Sequence, residues 1–169
     1  MDVKFPIGEL QVPDHVKAEH IQEWLGEIDS YTKRLREAVD GLDAADLEKR
    51  YREGSWTVRQ LVHHIADSQI AMYQRLKLAL TEENPTVPAF SEDQWAVLPD
   101  SKLPVESSIR ILEGLNERIV ALGQRLTEEQ WGRVFTHQTD GEIPVAATLA
   151  KLSWHEEHHL AHIGIALAN

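Results

Sequence analysis

Nine histidines occur in this chain, and four of them crowd into one run, Trp154-His155-Glu156-Glu157-His158-His159-Leu160-Ala161-His162. Two more stand side by side upstream, at His63 and His64. Imidazole is the commonest protein ligand for transition metals, and two histidines four apart on a helix can present their rings to one ion. On a helical wheel turning about 100° per residue, Thr148, Leu152, His155, His159, His162 and Ala166 share one stripe. Leu152 marks that stripe as inward-facing. A buried imidazole is costly unless it finds a hydrogen bond or a metal. His158 falls at the edge of the stripe and is expected to be partly solvated. His155 and His159 form one i, i+4 pair, and His158 and His162 form a second that spacing alone leaves open.

The upstream pair separates on the same construction. Val58, Leu61, Ile65, Met72 and Leu76 centre the apolar face of their helix, and His63 points almost directly away from it. His64 lies toward one flank, aligned with Thr57, Ser68 and Ala71, and is the better candidate for an inward ligand. His64, His155 and His159 would hold an ion with at least one position left open, the pattern of a catalytic rather than a closed structural site. Asp67, three residues after His64, could orient its ring or be an ordinary exposed carboxylate. Trp56, Trp95, Trp131 and Trp154 could line an apolar pocket above the ion or simply pack the core. His155-Glu156-Glu157-His158-His159 also satisfies H-E-x-x-H, with Glu156 as a would-be general base. The chain lacks the later ligand and the sheet of such enzymes, and Glu156 is rotated well away from His155. It is therefore expected to be a solvated carboxylate.

Four amphipathic helices must position these rings. The first is expected from about Asp14 to Val39, where Ile21, Trp24, Leu25, Ile28 and Leu35 recur at helical steps and Gly41 supplies a stop. The second begins at Thr57, where Thr57-Val58-Arg59-Gln60 reads as a capping box, and reaches Leu80. A long connection with Pro85, Pro88, Pro99 and Pro104 interrupts the pattern. The third helix follows Pro104 toward Leu126, and the fourth starts near Pro144 and runs almost to the end. Val12 or residues 86–90 could be extended, and no hairpin is expected. The stretches at 42–47 and 126–131 both look like a capped helical turn between long helices. The reading is all-α: one domain over residues 1–169, a four-helix bundle with connections long enough for crossovers.

Charge and composition exclude several functions. Acidic residues number 28 against 17 basic ones, a net charge of -11, so no polyanion such as DNA is an expected partner. Zero cysteines excludes a thiolate nucleophile and a Cys-ligated zinc site. No signal peptide or bilayer-spanning stretch is evident, so a cytoplasmic location away from membranes is expected.

Several separated stretches resemble the YfiT-like metal-dependent hydrolases of the DinB superfamily. Trp56-Thr57-Val58-Arg59-Gln60-Leu61-Val62-His63-His64-Ile65-Ala66-Asp67-Ser68 is similar to that family's W-T-V-R-Q-x-x-H-H-x-A-D-S segment. Phe5-Pro6-Ile7-Gly8-Glu9 resembles its Y-P-I-G-E, residues 78–83 its L-x-L-T-E-E, and Trp154 to His159 its W-H-x-x-x-H. The resemblance implies a bundle of unusual connectivity, a homodimer, and one divalent metal, zinc or nickel, on three histidines. Those positions fall on His64, His155 and His159, while Glu156 is not required by the pattern. The implied activity is hydrolysis of an unknown small-molecule substrate. The alternatives are transfer of a low-molecular-weight thiol such as bacillithiol, or a non-catalytic metal-binding bundle.

Overall fold

The computed structural model describes residues 2–169. Four long helices, α1 (Ala18–Val39), α3 (Val58–Thr81), α5 (Glu106–Gly123) and α7 (Val145–Ala168), carry the fold. Two short helices, α2 (Ala44–Leu47) and α6 (Glu128–Trp131), occupy the two expected capped turns, each closed by a capping box. The crossover between α3 and α5 holds strand β1 (Thr86–Val87), helix α4 (Glu92–Trp95) and a 3₁₀ turn at Pro99–Lys102. The first helix starts later than expected, at Ala18, with His20 reaching back to the Lys17 N–H at 3.0 Å.

Packing partners show why the connections are long. Helix α1 packs on α5 and α7, and α3 packs on the same two, so α1 sits diagonally across the bundle from α3. Direction follows from the two core clusters. One end gathers Ile21, Leu25, Leu76, Ile119, Leu149 and Leu152. The other gathers Leu35, Leu61, Ile65, Ile109, Leu112 and Ile163. Helices α1 and α7 therefore run from the first cluster to the second, and α3 and α5 run back. Parallel neighbours (α1 with α7, α3 with α5) cannot be joined by a tight turn, which is why residues 82–105 must travel the length of the bundle. That crossover lies along α3, held by Arg75 donating to the Pro88 carbonyl at 2.9 Å and by Gln60 donating to the Ala96 carbonyl at 3.0 Å.

A small sheet closes the first end, contrary to the expectation of no hairpin. Strands β2 (Val134–His137) and β3 (Gly141–Pro144) pair antiparallel, and β1 adds to β2 in parallel, with Thr86 opposite Thr136. Its inner face puts Phe135 and Val87 into the core. Gly141, at φ +80°, makes the turn into β3. Arg133, at the entry to the hairpin, donates to the Ala79 and Glu82 carbonyls at 2.7 and 2.8 Å and so satisfies the end of α3. No helix among the described residues is long and apolar enough to cross a membrane.

Candidate metal centre

The antiparallel pair α3 and α7 brings His64, in the second turn of one, beside His155 and His159 of the other. All three rings are buried. One nitrogen from each lies within 4.8 Å of those of the other two. The Nε2 atoms of His64 and His155 are 3.1 Å apart, close to the separation of about 3.3 Å that two ligands at 2.0–2.1 Å from a tetrahedral zinc would show. The rings meet edge to face, His64 against His159 at 88° and His155 against His159 at 78°.

Local sequence fixes this placement on both helices. The capping box at the start of α3 forms as the sequence predicts, with the Gln60 main-chain N–H on the Thr57 hydroxyl at 3.1 Å and the Thr57 N–H on the side-chain Oε1 of Gln60 at 3.0 Å. That box holds the preceding Trp56 over the site, its ring 4.3 Å from His64 and 6.3 Å from His159. Asp93 of α4 accepts from the Trp56 indole at 3.1 Å, so the crossover secures this cover. On α7 the register places His155 and His159 one turn apart against α3.

Burial depresses every ring in the cluster. His64 is lowered to about 4, first by desolvation and then by His158. His155 and His159 are lowered well below the ordinary imidazole value, first by burial, then by His64 at His155 and by His155 and His64 at His159. Neutral rings expose lone pairs, and lone pairs converging in a buried space repel unless a cation or a proton lies between them. Apart from one another, the His64 Nε2 finds only the Ser68 hydroxyl, at 3.5 Å, and the Nδ1 of His155 has no partner among the described residues. Three neutral imidazoles with converging lone pairs and no carboxylate among them suit a divalent transition metal.

The other sequence candidates divide. His63 is buried rather than directed outward, because the flank of α3 away from α7 meets α5. Its Nε2 faces the Leu103 carbonyl at 2.9 Å and its Nδ1 the Ser108 hydroxyl at 2.6 Å, so both nitrogens are spent on structure. His158 is also buried, correcting the expectation of partial solvation. Its ring stacks on Trp154 at 4.4 Å and lies 5.9 Å from Phe5 of the N-terminal arm. Asp67 makes no hydrogen bond to His64 among the described residues. Burial and Asp100 raise its carboxyl to about 6. Of the tryptophans, Trp56 covers the cluster, Trp154 stacks on His158, Trp131 packs against the core and Trp95 is exposed.

Glu156 is the largest correction. It is 1% exposed and turned into the bundle, not out to water. The Asn116 amide donates to its Oε1 at 2.7 Å and to the Ile28 carbonyl at 3.2 Å, and accepts from Gln69 at 3.0 Å. These contacts link all four long helices. Desolvation raises the Glu156 carboxyl well above its usual range, which favours its neutral form. Neither Asn116 nor Gln69 carries a motif that a sequence reading would single out.

The fold and site define a four-helix bundle of crossed connectivity with a trihistidine cluster between two antiparallel helices. The DinB superfamily family model matches residues 27–163, and the chain belongs to that superfamily. It is 66% identical over its whole length to a protein of Oceanobacillus iheyensis named "Putative metal-dependent hydrolase", covering 98% of that relative. Among solved structures it is similar to YfiT from Bacillus subtilis, described as a "probable metal-dependent hydrolase with an unusual four-helix bundle topology". The TM-score is 0.93 at 37% identity, over 97% of this chain and 95% of that one. A mycothiol-dependent maleylpyruvate isomerase shares the fold at TM-score 0.67 and 22% identity, over 85% of this chain and 60% of its own.

Proposed function

We propose that this chain is a metal-dependent hydrolase acting on a small molecule, with one divalent ion, zinc before nickel, held by His64, His155 and His159. The observation that carries the reading is the convergence of three buried, neutral imidazoles from α3 and α7. The names of the Oceanobacillus and Bacillus proteins support the reaction class. An ion held by three imidazoles supplies a Lewis acid and lowers the pKa of a water bound to it.

The chain's own contributions are positional. Helices α3 and α7 hold the rings before any ligand arrives, so little ordering remains to be done on binding. Trp56 lies over His64 and His159 and restricts water on that side. Glu156 belongs to the bundle interior, so the H-E-x-x-H match assigns it no role as base.

Zinc titration of the metal-free protein, followed by hydrolysis assays on esters and amides, tests the proposal. Native protein should bind one zinc tightly, His159→Ala should lose that binding, and hydrolysis should depend on metal. Full zinc occupancy in His159→Ala would sink the ligand set. Metal-dependent reaction of a low-molecular-weight thiol with an electrophile, in place of any hydrolysis, would keep the site and overturn the reaction.

A further inference from the structure

A second trio, His158, His159 and His162, also brings one nitrogen from each ring within 4.8 Å of the others, and it shares His159 with the first. Two metal sites one residue apart are one reading of this. The hydrogen bonds favour another. The Nε2 of His162 lies 3.0 Å from the Val3 carbonyl, an oxygen that can only accept, so this nitrogen carries the hydrogen. In a neutral ring the Nδ1 of His162 is then an acceptor. It faces the Nδ1 of His159 at 3.2 Å, which must donate. The hydrogen of His159 is thereby fixed on Nδ1, and its Nε2 is left with a free lone pair.

We propose that His162 is a positioning residue, which fixes the tautomer of His159 through a relay running from the Val3 carbonyl through His162 to His159. The inference rests on the ligand set proposed above and assigns His162 no contact with the ion. Tyr51 stacks on the His162 ring, with centroids 3.9 Å apart and planes at 17°, and restrains its rotation. His162 itself is 2% exposed, so water does not compete for its nitrogens. The far end of the relay is a main-chain oxygen of the N-terminal arm. The Trp154 indole anchors the same arm by donating to the Gly8 carbonyl at 3.2 Å. Docking of residues 3–8 on α7 is thus part of what prepares the ligand. His158 enters no such chain, and its Nδ1 has no partner among the described residues.

Outer partners of metal-bound histidines are typically worth 10- to 100-fold in affinity. Zinc affinity measured by chelator competition should therefore weaken about that much in His162→Leu. In His162→Gln, whose amide can donate to Val3 and accept from His159, it should weaken clearly less. Circular dichroism reports whether each variant is folded. Independently of any metal, nitrogen-15 spectra of the metal-free native protein should show His159 protonated at Nδ1 and His162 at Nε2. A His159 protonated at Nε2, two zinc ions per native chain, or unchanged affinity in a folded His162→Leu would overturn the relay. Failure of native protein to bind zinc would instead remove the proposed function, and the tautomer measurement would still judge the relay.

Discussion

Glu156 shows how far one buried contact can redirect a residue's role. It sits between His155 and the rest of the histidine run, where a metalloprotease motif would place a base. Its side chain instead accepts from Asn116 at the centre of the bundle. A neutral carboxyl and a carboxamide have nearly the same shape, and either can accept from Asn116. Glu156→Gln should accordingly change the melting temperature little and leave zinc affinity intact. Glu156→Leu removes the acceptor and strands the Asn116 amide, at a cost of about 1–3 kcal/mol. Thermal melts with zinc titrations separate these outcomes. A large loss of hydrolysis in a stably folded Glu156→Gln would restore the catalytic reading that the geometry denies.

Among the elements, the first turn of α3 does most to place the site. Its capping box satisfies free N–H groups and sets the chain direction that lays Trp56 over His64. Thr57→Ala should cost about 1 kcal/mol, a fall of roughly 2–4 °C in melting temperature for a chain of this size. Zinc stoichiometry should stay at one. This box was legible in four consecutive residues, as were the long helices, because each repeats its apolar pattern over many turns. The hairpin was not. Strands of four residues offer too few alternations to register, although Asp140-Gly141 at its turn is a recognised hairpin signal. The three candidate ligands were legible for the same reason as the helices, since a wheel needs only spacing. The positions of Glu156 and His158 were not, because α7 is covered on more than one side. It packs against both α1 and α3, and the N-terminal arm closes over Trp154 and His158. A single stripe on a wheel describes a helix with one buried face. The arm itself has no period from which its contact with His162 could be read.

At the scale of the whole molecule, the proposed ion would pin α3 to α7 and so couple metal binding to global stability. A ligand that binds only the folded state, at a hundred times its dissociation constant, adds about 2.7 kcal/mol. For this chain that corresponds to a rise of roughly 5–10 °C on zinc addition. Acid should act in the opposite sense on the metal-free form. His64 and His158 are both lowered to about 4 from an ordinary 6.5, with burial as the main cause, and burial also lowers His155 and His159 well below that ordinary value. Between those limits the unfolded chain takes up protons that the folded chain refuses. The stability these groups confer is therefore complete above about 6.5 and is lost as the pH falls through about 4, each excess proton contributing about 1.4 kcal/mol per pH unit. Glu156 slopes the other way, because its raised carboxyl favours the fold below 4.5 and the benefit declines as pH rises. Burial also raises the carboxyls of Asp67 and Glu92, which slope with Glu156, and it lowers His63, His137 and His162, so three carboxyls against seven imidazoles leave the net slope with the histidines. Calorimetric melts of chelator-treated protein from pH 8 to pH 4 should thus be flat near neutrality and fall steeply below about 6.5. A melting temperature unchanged between pH 7 and pH 5 would mean that the imidazoles are not buried together as neutral rings, and the ion's site would lose its physical basis.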